Sequence, residues 1–148
     1  MDLKLLDLLR NNFLNLYKLP SRFGKVFWYN WSMANIKEFS GRIYFQINGG
    51  YIKKFGGMID YKIDGNYLKE FSGRIIYKIE GDDIKDFYGR IILQFRNNRL
   101  RHFAGMDEYK VEDNYIKDIY GRILYKIDGS LSRIELMFAL TLLFEEKY

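Results

Sequence analysis

Residues 67 to 82 read YLKEFSGRIIYKIEGD, and the same sixteen-residue pattern runs without an insertion from Asn35 to Ser130. The first copy begins at Asn35 and the others at Tyr51, Tyr67, Asp83, Arg99 and Tyr115. The seventh position is always glycine (Gly41, Gly57, Gly73, Gly89, Gly105, Gly121), the second is Ile or Leu, and the fifth is Phe in all copies but the last, which has Ile119. Holding one phase over six copies is the mark of a repeat architecture in which each copy is one supersecondary unit.

Every copy carries two turn signals eight residues apart. One is Asn48-Gly49, Asp64-Gly65, Glu80-Gly81 and Asp128-Gly129, with Asn97-Asn98 and Asp113-Asn114 as the glycine-free versions. Two-residue hairpins need positive φ, which Gly, Asn and Asp supply most readily. The other signal is Ser40-Gly41, Gly56-Gly57, Ser72-Gly73, Tyr88-Gly89, Ala104-Gly105 and Tyr120-Gly121. Two-residue turns separated by six residues predict an antiparallel meander of six-residue strands, each about 20 Å long. Centring one turn on Asp64-Gly65 places Ile63 opposite Asn66 and Tyr61 opposite Leu68. Centring the next on Ser72-Gly73 places Phe71 opposite Arg74, Glu70 opposite Ile75, and Leu68 opposite Tyr77.

This register collects apolar residues on one face, in a row running Ile36, Phe45, Ile52, Tyr61, Leu68, Tyr77 and onward, flanked by Ile43, Ile59 and Ile75 on one side and Ile47, Ile63 and Ile79 on the other. The opposite face carries one row of Phe and Arg, including Phe39, Arg42, Phe55, Phe71, Arg74, Phe87 and Arg90. Beside it runs a row of Tyr and Lys, including Tyr67, Lys78, Tyr115 and Lys126. Alternating rings and cations stabilise a sheet through cation–π contacts of about 0.5–1 kcal/mol each.

A longer period overlies the short one. Residues 35–82 match residues 83–130 at 22 of 48 positions, and in both blocks the middle copy replaces the eighth-position Arg by Met58 or Met106. The same middle copies put Asp60 and Glu108 where the others carry Tyr44, Ile76, Ile92 and Leu124. Three hairpins thus form a higher unit. A flat sheet gives no reason for this, whereas a curled or closed one with pseudo-two-fold symmetry does, and closure also removes two vulnerable edges. The expected fold is mainly β: a meander of short hairpins, curled into a barrel or radial arrangement, with a helix at each end.

The hairpin motif Gly73-Arg74-Ile75-Ile76-Tyr77-Lys78-Ile79-Glu80-Gly81 and its counterparts resemble the small bacterial beta-flower proteins, in which short hairpins radiate about a central axis. The resemblance covers residues 35 to 130, implies a radial or closed arrangement, and carries no activity with it.

The flanking segments complete a single expected domain of 148 residues. Residues 3 to 17 space Leu5, Leu8, Leu9, Phe13 and Leu16 along one helical stripe that Pro20 ends. Residues 22 to 34 read either as a degenerate repeat or as an entry strand. Ser132 and Glu135 have the spacing of a capping box and open a helix over residues 132–146 that is apolar nearly all round, so it must be buried.

Composition limits the chemistry. The chain has no Cys and a single His, which excludes disulfides and Cys-ligated metal, and a lone His builds no metal site. His102 occupies the slot of Glu38, Lys54, Glu70, Asp86 and Asp118 and reads as a surface substitution. No catalytic residue, metal or cofactor is expected. Without a signal-peptide pattern or a membrane-length apolar run, a soluble cytoplasmic chain is expected, and export without a cleaved signal is compatible with it.

Three functions follow. The leading one is a non-enzymatic repeat protein that binds another protein or its own copy through Phe39, Arg42, Phe71, Arg74, Phe87, Arg90, Tyr67, Lys78, Tyr115 and Lys126, since Phe, Tyr and Arg favour interfaces. The second is nucleic-acid or polyanion binding through the same rows, consistent with a net charge of +5. The third is an enzyme built on Asp60 and Glu108 as acids converging at the repeat axis.

Overall fold

The computed structural model describes residues 18–20, 26–28, 33–54 and 58–147. The chain divides into two compact units, residues 1–32 and 33–148. In the first, β1 (Lys18–Pro20) pairs antiparallel with β2 (Val26–Trp28). The helix expected over residues 3 to 17 lies outside the described residues, as does Phe55.

The second unit contains β3 (Met33–Glu38), β4 (Ile43–Asn48), β5 (Tyr51–Lys54), β6 (Ile59–Asp64), β7 (Tyr67–Glu70), β8 (Ile75–Glu80), β9 (Asp83–Asp86), β10 (Ile91–Arg96), β11 (Arg99–His102), β12 (Asp107–Glu112), β13 (Tyr115–Lys117) and β14 (Ile123–Gly129), followed by α1 (Arg133–Lys147). Each strand pairs antiparallel with its sequence neighbours, and β14 returns to pair with β3, closing a twelve-stranded barrel. Closure leaves no free edge in this sheet.

A barrel of about eight strands is filled by its own side chains, and a wider one encloses space. Here α1 occupies that space. Its consecutive residues Met137 to Leu143 are all buried, in one core with the second-position residues Ile36, Ile52, Leu68, Ile84, Leu100 and Ile116. Fifteen residues make a helix of about 22 Å, close to the length of the wall strands. The capping box forms as expected: the Ser132 N–H donates to Glu135 Oε1 at 2.9 Å and the Glu135 N–H to Ser132 Oγ at 3.2 Å. The one hydroxyl in the buried run, Thr141, donates to the Met137 carbonyl at 2.7 Å, so no polar atom there lacks a partner.

Two kinds of hairpin alternate, and both depart from the register expected above. At one end the turns are two residues long but centred one residue later in three hairpins: Gly49-Gly50, Gly65-Asn66 and Gly81-Asp82. This pairs Ile63 with Leu68 rather than with Asn66. A partner shift of two residues keeps every side chain on its face, so hydrophobic alternation is blind to it. The later centre puts glycine first, at φ 59° in Gly65 and 60° in Gly81, as a type II′ turn requires.

At the other end the Ser72-Gly73 type of turn is not a two-residue turn. Gly73 N–H donates to the Glu70 carbonyl and Glu70 N–H to the Arg74 carbonyl, both at 2.8 Å, enclosing a three-residue loop with Gly73 at φ 97°. A β-bulge follows in each such hairpin. Leu68 pairs with Tyr77 as expected, but Lys69 rather than Glu70 faces Ile75, leaving Ile76 without a partner. The same step leaves out Tyr44, Asp60, Ile92, Glu108 and Leu124. A bulge sets two residues against one and re-aims the strand. Consequently the tenth-position residues Tyr44, Ile76, Ile92 and Leu124 pack inward against the core, and the ninth-position Ile43, Ile59 and Ile75, expected inside, face outward beside the third-position lysines.

Asp128-Gly129, expected to be a turn, is instead the end of β14, where Gly129 pairs with Ala34 at the closing seam. Gly129 has φ 114°, and a Cβ there would run into the Met33 carbonyl oxygen and lie 2.9 Å from Ala34 Cα. Gly129→Ala should therefore destabilise the barrel by about 3 kcal/mol in urea unfolding. Gly65→Ala, with positive φ but open space around it, should lose only about 1 kcal/mol. Equal losses would mean that the seam is not closely packed.

Candidate binding rim

Because consecutive strands are neighbours all the way round, every described three-residue loop emerges at one end of the barrel, the end at which α1 finishes. The first loop residue has no inward neighbour to cover it. Phe39 is 85% exposed and Phe71 72%, and Phe87, Phe103 and Ile119 are exposed likewise. Tyr88 and Tyr120 on the next position and Met58 and Met106 just past the loops extend this apolar ring. So much exposed apolar surface concentrated at one end, rather than scattered singly, is informative.

The Phe–Arg row expected on the wall is thus a feature of the rim. Arg42, Arg74 and Arg90 stand at the base of the loops, and Arg122 does the same in the sixth hairpin. Each reaches back to the acid four residues earlier: Arg42 to Glu38 at 2.7 Å, Arg74 to Glu70 at 2.6 Å, Arg90 to Asp86 at 2.8 Å and Arg122 to Asp118 at 2.6 Å. The guanidinium prefers the carboxylate to the Phe face, because a charge-assisted hydrogen bond outweighs an exposed cation–π contact. Tyr67, Lys78, Tyr115 and Lys126 lie elsewhere, on the outer wall, in the expected register. Lys78 sits 5.6 Å from the Tyr67 ring centroid, and Tyr115 pairs with Lys126. The structure therefore separates the expected binding face into a rim and a wall. Tyr88, Tyr120, Met58 and Met106 join the rim although the sequence reading left them out of the site. Their position beside the loop glycine was the available signal.

Inside the ring of tips stands the charged end of α1. The end of α1 meets the wall through Lys54–Glu146, through Lys147 to Glu108 at 3.3 Å and through Glu145 beside the Tyr77 hydroxyl. Burial, reinforced by Glu145, pushes the Tyr77 phenol well above its ordinary range, and burial raises Tyr61 and Tyr125 as well. These hydroxyls stay protonated at neutral pH. Two clefts of about 460 and 440 Å³ flank the helix end, one lined by Tyr44, Leu124, Tyr125 and Lys147, the other by Ile76, Tyr77, Tyr88 and Glu145.

Asp60 and Glu108 stand on β6 and β12, with five strands between them in either direction around the barrel. Glu108 is buried with Oε1 2.8 Å from His102 Nε2, while Asp60 accepts from the Lys54 N–H at 3.3 Å. His102, expected to be a plain surface substitution, is a partner of that buried acid and packs edge-on to Phe144 with centroids 4.8 Å apart. Among the described residues no three His, Asp or Glu side chains group as a metal site would require, and no helix is long and apolar enough to cross a membrane.

Comparison of the chain with protein-family models, with curated proteins and with solved structures returned no match.

The carboxylates of rim and wall give a pH signature. Hydrogen bonds from Arg42 and Arg74 lower Glu38 and Glu70. Those from Lys78 and Lys85 bring Glu80 from the ordinary 4.5 to about 2, and those from Lys110 and Lys117 do the same for Glu112. Folded values below unfolded ones mean that the unfolded chain binds more protons in the interval. The stabilisation is therefore complete above the ordinary carboxylate range and lost as pH falls toward about 2. Thermal unfolding followed by circular dichroism should show the melting temperature dropping steadily over that interval, and less so in high salt. A flat profile would show that these pairs contribute nothing.

Proposed function

We propose that the protein is a non-enzymatic binding scaffold whose apolar rim docks a protein, and that a second copy of the chain is the occupant that fits it best. The observation that carries this reading is the ring of exposed Phe, Tyr and Met tips on a barrel whose interior is already filled by its own helix. Burying one such side chain fully is worth about 1.5–3 kcal/mol, so several together offset an association cost of about 4–15 kcal/mol. An apolar ring around the charged end of α1 is the inverse of the usual interface, which has an apolar centre and a polar margin. Its natural complement is another such ring, met face to face across a two-fold axis. The separation of Asp60 from Glu108 weighs against the enzyme reading. Kinship with the beta-flower proteins and a soluble cytoplasmic location belong to the same proposal.

Sedimentation velocity over a concentration series is the test. The native chain should pass from monomer to dimer with increasing concentration, and more readily at high salt, because apolar association is not screened. A Phe39→Ser, Phe71→Ser, Phe87→Ser variant should stay monomeric with unchanged circular dichroism, since all three rings are exposed. A native chain that remains monomeric throughout, or one that partitions onto lipid vesicles through the same three residues, would overturn the self-docking reading.

A further inference from the structure

On the outer wall the register links four residues across each set of four consecutive strands. Two such rows run Asp64, Tyr67, Lys78, Lys85 and Glu112, Tyr115, Lys126, Lys37, with an acid, a ring and then two lysines. The corresponding row through the fourth to sixth hairpins is Arg96, Arg99, Lys110, Lys117. Arg96 stands where Asp64, Glu80, Glu112 and Asp128 stand in other hairpins, and Arg99 where Tyr51, Tyr67 and Tyr115 stand. Four cations in direct cross-strand succession oppose sheet stability, because like charges face each other at the closest side-chain separation.

The local acids do not neutralise this row. Asp107 is shared by Arg99 at 3.2 Å and Arg101 at 3.1 Å, Glu112 by Lys110 at 2.8 Å and Lys117 at 3.0 Å, and Asp82 by Arg96 at 3.1 Å and Arg133 at 2.7 Å. Six cations thus divide three carboxylates, and over an open cleft of about 920 Å³ the four cations Arg96, Arg99, Arg101 and Lys110 outnumber the two acids of its lining, Glu112 and Asp113. The walls of the cleft are the tips Asn97-Asn98 and Asp113-Asn114. These four residues are also the non-glycine residues with positive φ among those described. Other tips relieve that strain with glycine, whereas here the amides of Asn97, Asn98 and Asn114 and the carboxylate of Asp113 are retained at the cleft mouth.

We infer that this cleft is a binding site for a compact anion carrying several phosphate groups. Guanidinium forks match phosphate oxygens in bidentate pairs, and several of them converging suit more than one phosphate. The cleft is of small-ligand size. No aromatic ring lines it, and the tyrosine that other rows would offer for stacking is Arg99 here, which disfavours a nucleobase or single-stranded nucleic acid as the ligand. The site is on the wall, away from the apolar rim, and stands or falls independently of the docking proposed above.

Isothermal titration calorimetry of the full chain with inorganic triphosphate, orthophosphate and a single-stranded oligonucleotide tests it. Triphosphate should bind at least about tenfold more tightly than orthophosphate, with an affinity that falls as salt is added. Arg96→Glu, which restores the acid of the other hairpins, should weaken triphosphate binding at least about tenfold, and so should Arg99→Tyr. Lys126→Glu, the same charge change on another row, should leave it unaltered. Absence of triphosphate binding, an equal loss in Lys126→Glu, or tighter binding of the oligonucleotide than of triphosphate would each overturn the assignment.

Discussion

Twelve strands closed into a barrel enclose more room than inward side chains can fill, and the unit built on β3 to β14 depends on what occupies that room. The occupant is α1. Its uniform hydrophobicity, unsuited to any surface helix, is the complement of a wall that faces it from every direction. Helix and wall have no separate stable state on this view: a helix buried on all sides needs the closed sheet, and the closed sheet needs a rod of about 10 Å diameter. Both ends of that rod are tied. Arg133 reaches Asp82 and the Phe95 carbonyl at one end, and Glu145, Glu146 and Lys147 reach the wall at the other.

Filling the barrel with its own chain leaves the exposed apolar surface at the loop end. The bulge in each hairpin contributes by turning the tenth residue inward, so that Tyr44, Ile76, Ile92 and Leu124 widen the helix contact near the loop end. The loops beyond the bulge then project past the core, and their first residues have nothing beneath them. An exposed Phe on every described three-residue loop but one is the outcome, with an Arg–carboxylate pair bracing the base of four of them. Rim and wall differ in character for the same reason. The loops lie outside the cross-strand pairing, whereas on the wall an acid and a ring precede the lysine pairs Lys78–Lys85 and Lys126–Lys37, and only the row Arg96, Arg99, Lys110, Lys117 is cationic throughout.

The repeat, the strand count, the inward row and the capped apolar helix were all legible in the chain, because each is a local or periodic property. Six glycines in phase mark six loops, alternation of two marks the inward face, and Ser132 with Glu135 marks a helix start within four residues. The pairing of Asp60 with Glu108 as like members of two half-barrels was legible too, through the 48-residue period. The candidate site was legible in its residues and not in its arrangement. Phe71 and Arg74 were recognised as exceptional, but a two-residue turn would have set them side by side on a wall, and only the three-residue loop puts Phe71 at the tip and Arg74 at its base.

What the tertiary structure alone decided has one physical source. Period-two alternation is unchanged when a strand slips by two residues, so side-chain pattern leaves the turn centre and the bulge undetermined. Those choices are made by backbone hydrogen bonding within the closed sheet, where the twist of every strand must accumulate to a full circle. The chain by itself thus determined that there would be six hairpins, an inward row and a helix with no polar face. Closure determined which residues became partners at the shifted turns and bulges, that Gly129 would be a seam rather than a turn, and that Asp60 and Glu108 would stand on opposite walls.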